Sequence, residues 1–250
     1  MQRYGLIGFP LSHSFSKQFF TEHFGNHVDL TYELMELESI TLLPTLLSKY
    51  PDICGFNVTA PYKETILPFL DALDDEAKEV TAVNTVKIIT TPSSSPQLIG
   101  YNTDIYGFEM LLNQSLESAS DIKRKALVLG TGGASKAICH VLRKKGIEYL
   151  KVSRDPNKGD ITYTELSNNI LYNYPIIINA TPLGTYPNIE SYPMLPYEGL
   201  GENHLLIDLV YNPVETTFLR MGRERGTRTF NGQFMLEQQA LKAYEIWGIF

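Results

Sequence analysis

Residues 55–63 place an ammonium group after an amide and a hydroxyl group at alternate positions of a predicted strand. In an extended segment alternate side chains share a face, so Asn57, Thr59 and Lys63 are expected on the same side. Amide and hydroxyl groups can hold a polyol, and an ammonium group can stabilise negative charge that develops on an oxygen. A strand with one half-exposed face would show the same alternation. Both interpretations stay open for this segment alone.

Other polar side chains follow other predicted strands. Asn84 and Asp104 would add an amide and a carboxylate, and Ser14 and Ser16 would add hydroxyl groups after the first strand. Asn and Asp at strand ends are often turn formers, and Ser16 could be the N-cap of a helix. Taken with Lys63, however, the set suits proton transfer on a hydroxylated substrate.

A glycine cluster follows the apolar run at residues 126–129. Gly130 would permit a tight turn, and Gly132 would let the backbone approach phosphate groups. A helix beginning near Ser135 would direct its N-terminal amides at a pyrophosphate. Ser135 stands where the strict G-x-G-x-x-G pattern has its third glycine, and an ordinary strand-to-helix turn is the alternative. The segment favours a dinucleotide-binding turn.

The next predicted strand, residues 148–153, ends in Ser153 and Arg154, and Lys158 follows four residues later. NAD-binding units usually have an acid at this point, which holds the ribose hydroxyls. A guanidinium group instead suits the 2′-phosphate of NADP by planar, bidentate pairing. The sequence therefore predicts NADP as the cofactor, with a solvated surface arginine as the alternative. Asp155 adjoins Arg154 and would repel a phosphate if its side chain pointed inward.

Strand-like and helix-like segments alternate along the chain, which indicates an α/β fold with largely parallel strands. Residues 91–96, Thr-Pro-Ser-Ser-Ser-Pro, predict a surface loop between two strands. The predicted strands are residues 3–9, 30–37, 55–59, 80–86, 87–90, 97–100, 126–129, 148–153, 176–180 and 205–209, and the predicted helices are residues 16–24, 40–49, 62–70, 109–116 and 235–247.

The composition is that of a packed globular enzyme, with 250 residues, 43% of them hydrophobic and 20% charged. A net charge of -7 argues against nucleic acid as the principal partner. No apolar run approaches the length of a membrane span, and the first residues do not form a signal peptide, so a cytoplasmic location is expected. Cys54 and Cys139 share no close spacing and have no histidine cluster nearby, so neither a zinc site nor a disulfide framework is predicted.

Eight motifs occur in order along the chain, and together they resemble the motifs of the shikimate dehydrogenases over essentially its whole length. They are Gly8-x-Pro10-x-x-His13-Ser14-x-Ser16, Asn57-Val-Thr59-x-Pro61-x-Lys63, Ala82-Val-Asn84-Thr85, Asn102-Thr103-Asp104, Gly130-x-Gly132-Gly133-Ala134-Ser135, Asn179-Ala-Thr181-Pro-x-Gly184, Asp208-x-x-Tyr211 and Gly232-x-x-Met235-Leu-x-x-Gln239-Ala240.

The resemblance implies a two-domain α/β protein. Residues 1–103 with 233–250 would form an N-terminal α/β substrate-binding and catalytic domain, and residues 104–232 a Rossmann-like NADP-binding domain. The implied activity is the NADPH-dependent, reversible reduction of 3-dehydroshikimate to shikimate, a step in the biosynthesis of chorismate and the aromatic amino acids. The implied partner is this small-molecule substrate, with neither nucleic acid nor membrane, and the protein would be a monomer or homodimer.

The resemblance also assigns roles to individual residues. Lys63 and Asp104 would form the catalytic pair, and no metal is implied. The substrate would be bound by Ser14, Ser16, Asn57, Thr59, Asn84, Tyr211 and Gln239. The cofactor would be bound by Gly130, Gly132, Gly133, Ala134, Ser153, Arg154, Lys158, Thr181, Gly232 and Met235.

Two alternatives compete with this interpretation. An NAD-accepting quinate/shikimate dehydrogenase would carry an acid at the end of the second nucleotide-binding strand, where this chain has Arg154. A non-catalytic NADP-binding sensor would lack the acid–base pair, whereas Lys63 and Asp104 are both present. The chain departs from the family pattern in having Lys17 instead of a proline. It also has Ser-Arg-Asp at residues 153–155 instead of Asn-Arg-Thr.

Overall fold

The computed structural model describes residues 2–11, 20, 29–91 and 95–249. The chain forms two compact units, Met1–Thr103 with Ala240–Phe250 and Asp104–Gln239, and each contains a six-stranded sheet. The predicted α/β class is confirmed. One unit gives way to the other between residues 103 and 104 and again between residues 239 and 240. The assignment of substrate-binding and NADP-binding domains stays a prediction.

The sheet of the first unit is mixed. Its strand order is β2-β1-β3-β5-β6-β4, with β1 parallel to β2 and β3, and with β5 antiparallel to β3 and β6. The two strands predicted on either side of residues 91–96 are therefore present, and they pair in antiparallel orientation. The strands are β1 (Gln2–Gly8), β2 (Leu30–Glu36), β3 (Ile53–Val58), β4 (Ala72–Leu73), β5 (Thr85–Ile89) and β6 (Gln97–Tyr101).

The sheet of the second unit is parallel throughout, and its central strands are buried, as expected where helices cover a sheet. The order β12-β11-β10-β7-β8-β9 is the 3-2-1-4-5-6 order of dinucleotide-binding sheets read from its other edge. The strands are β7 (Lys125–Leu129), β8 (Glu148–Ser153), β9 (Ile161–Thr162), β10 (Ile176–Asn179), β11 (Leu205–Asp208) and β12 (Arg228–Phe230).

The helices lie between these strands or, for the last of them, after β12. None in the described part of the chain is long and apolar enough to cross a membrane. They are α1 (Leu43–Lys49), α2 (Asp75–Val80), α3 (Thr103–Glu117), α4 (Gly133–Lys144), α5 (Asn168–Asn173), α6 (Thr217–Arg223) and α7 (Gln233–Trp247), with short 3-10 turns at Ile40–Leu42, Leu67–Phe69, Tyr163–Glu165 and Tyr197–Gly199.

The end of α7 packs on the sheet of the first unit. Trp247 donates its indole N–H to the carbonyl of Val86 at 2.9 Å. A Cβ on Gly55 would lie 2.4 Å from the same indole nitrogen, so this glycine makes the close approach possible. Tyr4 and Phe20 contact the indole ring, which completes the apolar cluster on this face.

Two predicted elements differ from the structure, and a third lies outside the described residues. Residues 62–70 form only a 3-10 turn at Leu67–Phe69 rather than a helix, because Pro68 lacks an N–H and disfavours helical backbone before it. Residues 80–86 are not extended throughout, since α2 ends at Val80 and β5 begins at Thr85. The helix predicted over residues 16–24 lies outside the described residues, apart from Phe20.

Candidate functional site

A cleft of about 770 Å³ opens in the second unit. Its walls come from the carboxyl ends of β7, β8 and β10 and from the loops that follow them. In sheets of this order, ligands bind where the direction of strand addition reverses, which is here between β7 and β10. The lining residues are Gly130, Thr131, Gly132, Ser153, Arg154, Asp155, Lys158, Tyr163, Ala180, Thr181, Pro182, Leu183, Tyr192 and Met194.

The glycine turn forms the floor of this cleft. Gly130 has a φ of +103°, a conformation that favours glycine, and a Cβ there would lie 2.9 Å from Cγ2 of Thr181. Gly132 is the N-cap of α4, and a Cβ on it would meet nothing within 4 Å. The open space above Gly132 is what a pyrophosphate needs to reach the helix N-terminus. Ser135 is buried and donates to the carbonyl of Gly132 at 2.6 Å.

Positive charge lies at one end of the cleft, directly after β8. Arg154 and Lys158 are exposed there, beside the buried hydroxyl group of Ser153. The carboxylate of Asp155 accepts the backbone N–H of Asn157 at 3.0 Å and lies 3.8 Å from Nζ of Lys158. Asp155 is therefore engaged in capping its own turn. The two cations and the hydroxyl group fit a 2′-phosphate.

Aromatic and apolar side chains form the opposite walls, and the sequence analysis did not identify them. Tyr163 follows β9, and Leu183, Tyr192 and Met194 belong to the long connection between β10 and β11. Such walls suit the flat face of a nucleobase. No local motif marks these residues, because they meet only when the loops fold over the sheet edge.

A buried carboxylate lies beneath the β10 side of the cleft. Asp208 ends β11 with none of its surface exposed, and it accepts hydrogen bonds from Asn179, Val210 and Thr216 at 2.9, 3.0 and 2.6 Å. Burial raises the pKa of Asp208 to about 6, although the three hydrogen bonds act in the opposite direction. Asn179 in turn accepts the hydroxyl group of Thr181 at 2.6 Å, so the carboxylate is linked to the cleft wall.

The first unit contains a polar network around Asn57 and Asn84. Asn57 accepts from the hydroxyl group of Tyr32 at 2.9 Å and donates to the carbonyl of Asn84 and the hydroxyl group of Thr85. The backbone N–H of Thr103 donates to Oδ1 of Asn84 at 2.7 Å. Since an N–H can only donate, this bond fixes which end of the Asn84 amide is the oxygen. Tyr32 was not identified from the sequence, and Thr85 was part of a quoted motif without being assigned a role.

Lys63 reaches the neighbourhood of Asn84 by a route that the alternation argument did not predict. Strand β3 ends at Val58, and the backbone then turns, with the N–H of Tyr62 donating to the carbonyl of Thr59 at 3.0 Å. The carbonyl of Lys63 accepts the N–H of Val83 at 2.7 Å. The common strand face expected for Asn57, Thr59 and Lys63 is thus wrong, yet the turn brings the backbone of Lys63 beside Val83, the residue before Asn84.

The remaining candidates are spread over both units. Asp104 is buried in the first turn of α3. Gly133 and Ala134 begin α4 and do not line the cleft. Gly232 and Met235 are buried near the start of α7 and do not line it either. Tyr211 follows β11 and Gln239 lies on α7, both half-buried, while Ser14 and Ser16 lie outside the described residues. Across residues 2–11, 20, 29–91 and 95–249, no cluster of His, Cys, Asp or Glu is suited to a metal ion.

Known proteins match this chain over nearly its whole length. A family model for the substrate binding domain of shikimate dehydrogenase matches residues 6–86. The shikimate dehydrogenase (NADP(+)) of Clostridium beijerinckii is 38% identical over 260 residues, which are 99% of this chain and 92% of that protein. The chain belongs to the shikimate dehydrogenase family. The resemblance found in its eight motifs is confirmed.

Solved structures of shikimate dehydrogenases share this fold. Shikimate dehydrogenase 1 from Peptoclostridium difficile superposes with a TM-score of 0.83 at 38% identity, covering 99% of this chain and 92% of that one. The Thermus thermophilus enzyme, solved in complex with NADP(H) and shikimate, has a TM-score of 0.80 at 31% identity, covering 99% and 93%. The two-domain α/β architecture expected of a shikimate dehydrogenase is thereby confirmed, and the roles of its individual site residues stay predictions.

Proposed function

We propose that this protein is an NADP-dependent oxidoreductase that reversibly reduces the carbonyl group of 3-dehydroshikimate to the hydroxyl group of shikimate. This reaction serves the biosynthesis of chorismate and the aromatic amino acids. The observation that carries the proposal is the cleft at the β7/β10 switch point, with its glycine turn and its cationic end, in a chain of this family. The NADP+ in the names of the relatives supports the same cofactor.

The cleft residues would hold NADP in an extended pose. Gly130 and Gly132 leave room for the pyrophosphate at the start of α4, and Arg154 with Lys158 pairs with the 2′-phosphate. Tyr163 contributes an aromatic wall for the base. When bound, this cofactor supplies or accepts the hydride, and the protein supplies orientation and charge.

The polar residues of the first unit would hold the substrate. Asn84 contributes an amide whose orientation is fixed by the N–H of Thr103, and Thr59 contributes a hydroxyl group. Reduction of the carbonyl group places negative charge on its oxygen, and the ammonium group of Lys63 stabilises that charge or donates the proton. Asp104 would hold this ammonium group in position and bind a ring hydroxyl.

The domain assignment is part of the same proposal. Residues 1–103 with 233–250 would bind the substrate, which the family model over residues 6–86 supports, and residues 104–232 would bind NADP. Ser14 and Ser16 would bind the substrate carboxylate, with Asn57, Tyr211 and Gln239 around the ring. Gly133, Ala134, Ser153, Thr181, Gly232 and Met235 would complete the NADP site. A cytoplasmic monomer or homodimer is the corresponding assembly.

The direct test measures NADPH formation by the purified protein with shikimate and NADP+. We expect robust turnover, a much higher kcat/KM for shikimate than for quinate, and a preference for NADP+ over NAD+. Comparable values for shikimate and quinate, or a preference for NAD+, would favour the quinate/shikimate alternative. Binding of NADP+ without turnover of either acid would favour the sensor.

The variant Lys63→Ala tests the catalytic role proposed for Lys63. It should retain NADP+ binding, because Lys63 does not line the cleft. Its kcat should fall roughly 10²- to 10⁴-fold, the range of a positioned acid–base group. A kcat within about threefold of the parent would remove Lys63 from the catalytic pair.

A further inference from the structure

Asp208 is a buried charged group that the proposed reaction does not use. It lies at the carboxyl end of β11 with no exposed surface, and burying a carboxylate is costly unless its oxygens accept hydrogen bonds. Its oxygen Oδ1 accepts from Asn179 and from the backbone N–H of Val210, and Oδ2 accepts from Thr216. The two oxygens therefore serve different neighbours.

The amide of Asn179 has only one orientation that satisfies its surroundings. Oδ1 of Asn179 accepts the backbone N–H of Thr181 at 3.1 Å, and an N–H cannot accept. Nδ2 of Asn179 donates to the carbonyl of Leu183 at 3.3 Å and to Asp208 at 2.9 Å, and a carbonyl or an ionised carboxylate can only accept. Asn179 thus ties the buried carboxylate to the turn that follows β10.

That turn is a wall of the cofactor cleft. Ala180, Thr181, Pro182 and Leu183 all line it, and the hydroxyl group of Thr181 both donates to Asn179 and accepts the N–H of Leu183 at 3.3 Å. We infer that Asp208 is a positioning residue for NADP, acting through Asn179 to hold Thr181 and Leu183 where the cofactor contacts them. The inference rests on the proposed function, because it assumes that NADP binds in this cleft.

The two oxygens of Asp208 provide a matched set of variants. Asp208→Ala removes the acceptor for Asn179, whereas Asp208→Asn keeps an amide oxygen that can accept from both Asn179 and Val210. Thr216→Val removes only the bond to Oδ2 and the N-cap of α6, so it lowers stability without touching the Asn179 side. Loss of affinity and loss of stability are thereby separated.

The experiment measures the dissociation constant for NADP+ by titration, the KM for shikimate, and the unfolding temperature of each variant. Asp208→Ala should weaken NADP+ binding about five- to tenfold, the value of one hydrogen bond between fixed partners, with an unchanged KM for shikimate. Asp208→Asn and Thr216→Val should bind NADP+ within about twofold of the parent, although Thr216→Val unfolds at a lower temperature.

A double-mutant cycle tests whether Asp208 acts through Thr181. If it does, Asp208→Ala adds little to the affinity already lost in Thr181→Ala, whereas independent effects would add. If Asp208→Ala does not fold, Asn179→Ala interrupts the same series of hydrogen bonds one residue nearer the cleft. It should weaken NADP+ binding to the same extent.

Each outcome has a distinct meaning. Parental NADP+ affinity in Asp208→Ala or Asn179→Ala, additive effects in the cycle, or equal loss of NADP+ and shikimate binding would overturn the positioning role and leave the proposed function intact. Failure of the parent protein to bind NADP+ would overturn both.

Discussion

The prediction that NADP is the cofactor rests most heavily on Arg154. It follows β8 at the point where an NAD-specific sheet would present an acid. The neighbouring Asp155 is the one feature of the sequence that argued against a phosphate here. In the structure its carboxylate accepts the N–H of Asn157, with Nζ of Lys158 at 3.8 Å, so part of its charge is already compensated.

Arg154→Ala should lower the ratio of kcat/KM for NADP+ to that for NAD+ about ten- to a hundredfold, since a charge-assisted contact to phosphate contributes roughly 1.5–3 kcal/mol. The measurement is steady-state kinetics with both cofactors at fixed ionic strength. Arg223→Ala is the control, because Arg223 is an exposed arginine of the same unit that pairs with Glu215. An unaltered ratio in Arg154→Ala would mean that Arg154 is only a surface residue.

Two glycines near the cleft differ in what surrounds them, since one is closely packed by neighbouring strands and the other faces open space. Gly159 lies where the loop after β8 returns to β9, and a Cβ there would lie 2.8 Å from Cβ of Ser153 and 2.9 Å from the carbonyl oxygen of Ile161. These are atoms of the strands themselves, which cannot move aside cheaply. Gly132, at the start of α4, has only open space where its Cβ would be.

The two alanine variants should therefore differ in what they lose, with Gly159→Ala losing stability and Gly132→Ala losing affinity for NADP+. Gly159→Ala should lower the free energy of unfolding by about 1–3 kcal/mol, the usual cost of overpacking. Gly132→Ala should cost at most about 1 kcal/mol, the value of a changed N-cap. Gly132→Ala should nevertheless weaken NADP+ binding strongly, because its methyl group occupies the space proposed for the pyrophosphate. Denaturant unfolding and NADP+ titration of both proteins check this pair, and equal NADP+ affinity in Gly132→Ala and the parent would contradict it.

At the scale of the whole molecule, the free energy of unfolding depends on pH through the groups whose pKa differs between the folded and unfolded states. Asp208 is one of these, with a folded pKa of about 6 against an ordinary value of 3.8. Between these values the folded protein binds more protons than the unfolded chain. Its contribution to stability is therefore greatest below about pH 4 and is lost as pH rises to about 6.

Glu109 acts in the opposite direction, because hydrogen bonding to Lys145 holds the pKa of Glu109 below its usual range. Its stabilising contribution is present above the ordinary carboxyl pKa and is lost as pH falls. The parent and Asp208→Asn share Glu109 and every other titratable group. The contributions of these groups therefore cancel in the difference between the two stabilities.

Relative to Asp208→Asn, the parent should lose on the order of 2–3 kcal/mol of stability between about pH 4 and pH 6 and show a constant difference above that. The measurement is urea unfolding of both proteins at a series of pH values at constant ionic strength. Parallel pH profiles would show that the pKa of Asp208 is the same in the folded protein as in the unfolded chain.

Local features of the sequence were sufficient for the fold class and for the cofactor prediction. Apolar runs such as residues 126–129 identify buried strands, and the glycines that follow identify the turn, because both depend on backbone conformation within a few residues. Arg154 could be interpreted because its place at a strand end is itself a local property. Asp74, the N-cap of α2, is a local signal of the same kind, although the sequence analysis did not predict this helix.

Only the tertiary structure decided how residues that are distant in sequence come together. The bonds from Asp208 to Asn179 and Thr216, the fixed amides of Asn57 and Asn84, and the aromatic walls at Tyr163 and Tyr192 all join separate strands or loops. The route of the chain to Lys63 also differs from simple alternation, since β3 ends at Val58. Hydrogen bonds between elements depend on strand order and register, and these are set by the packing of whole elements rather than by the residues beside each group.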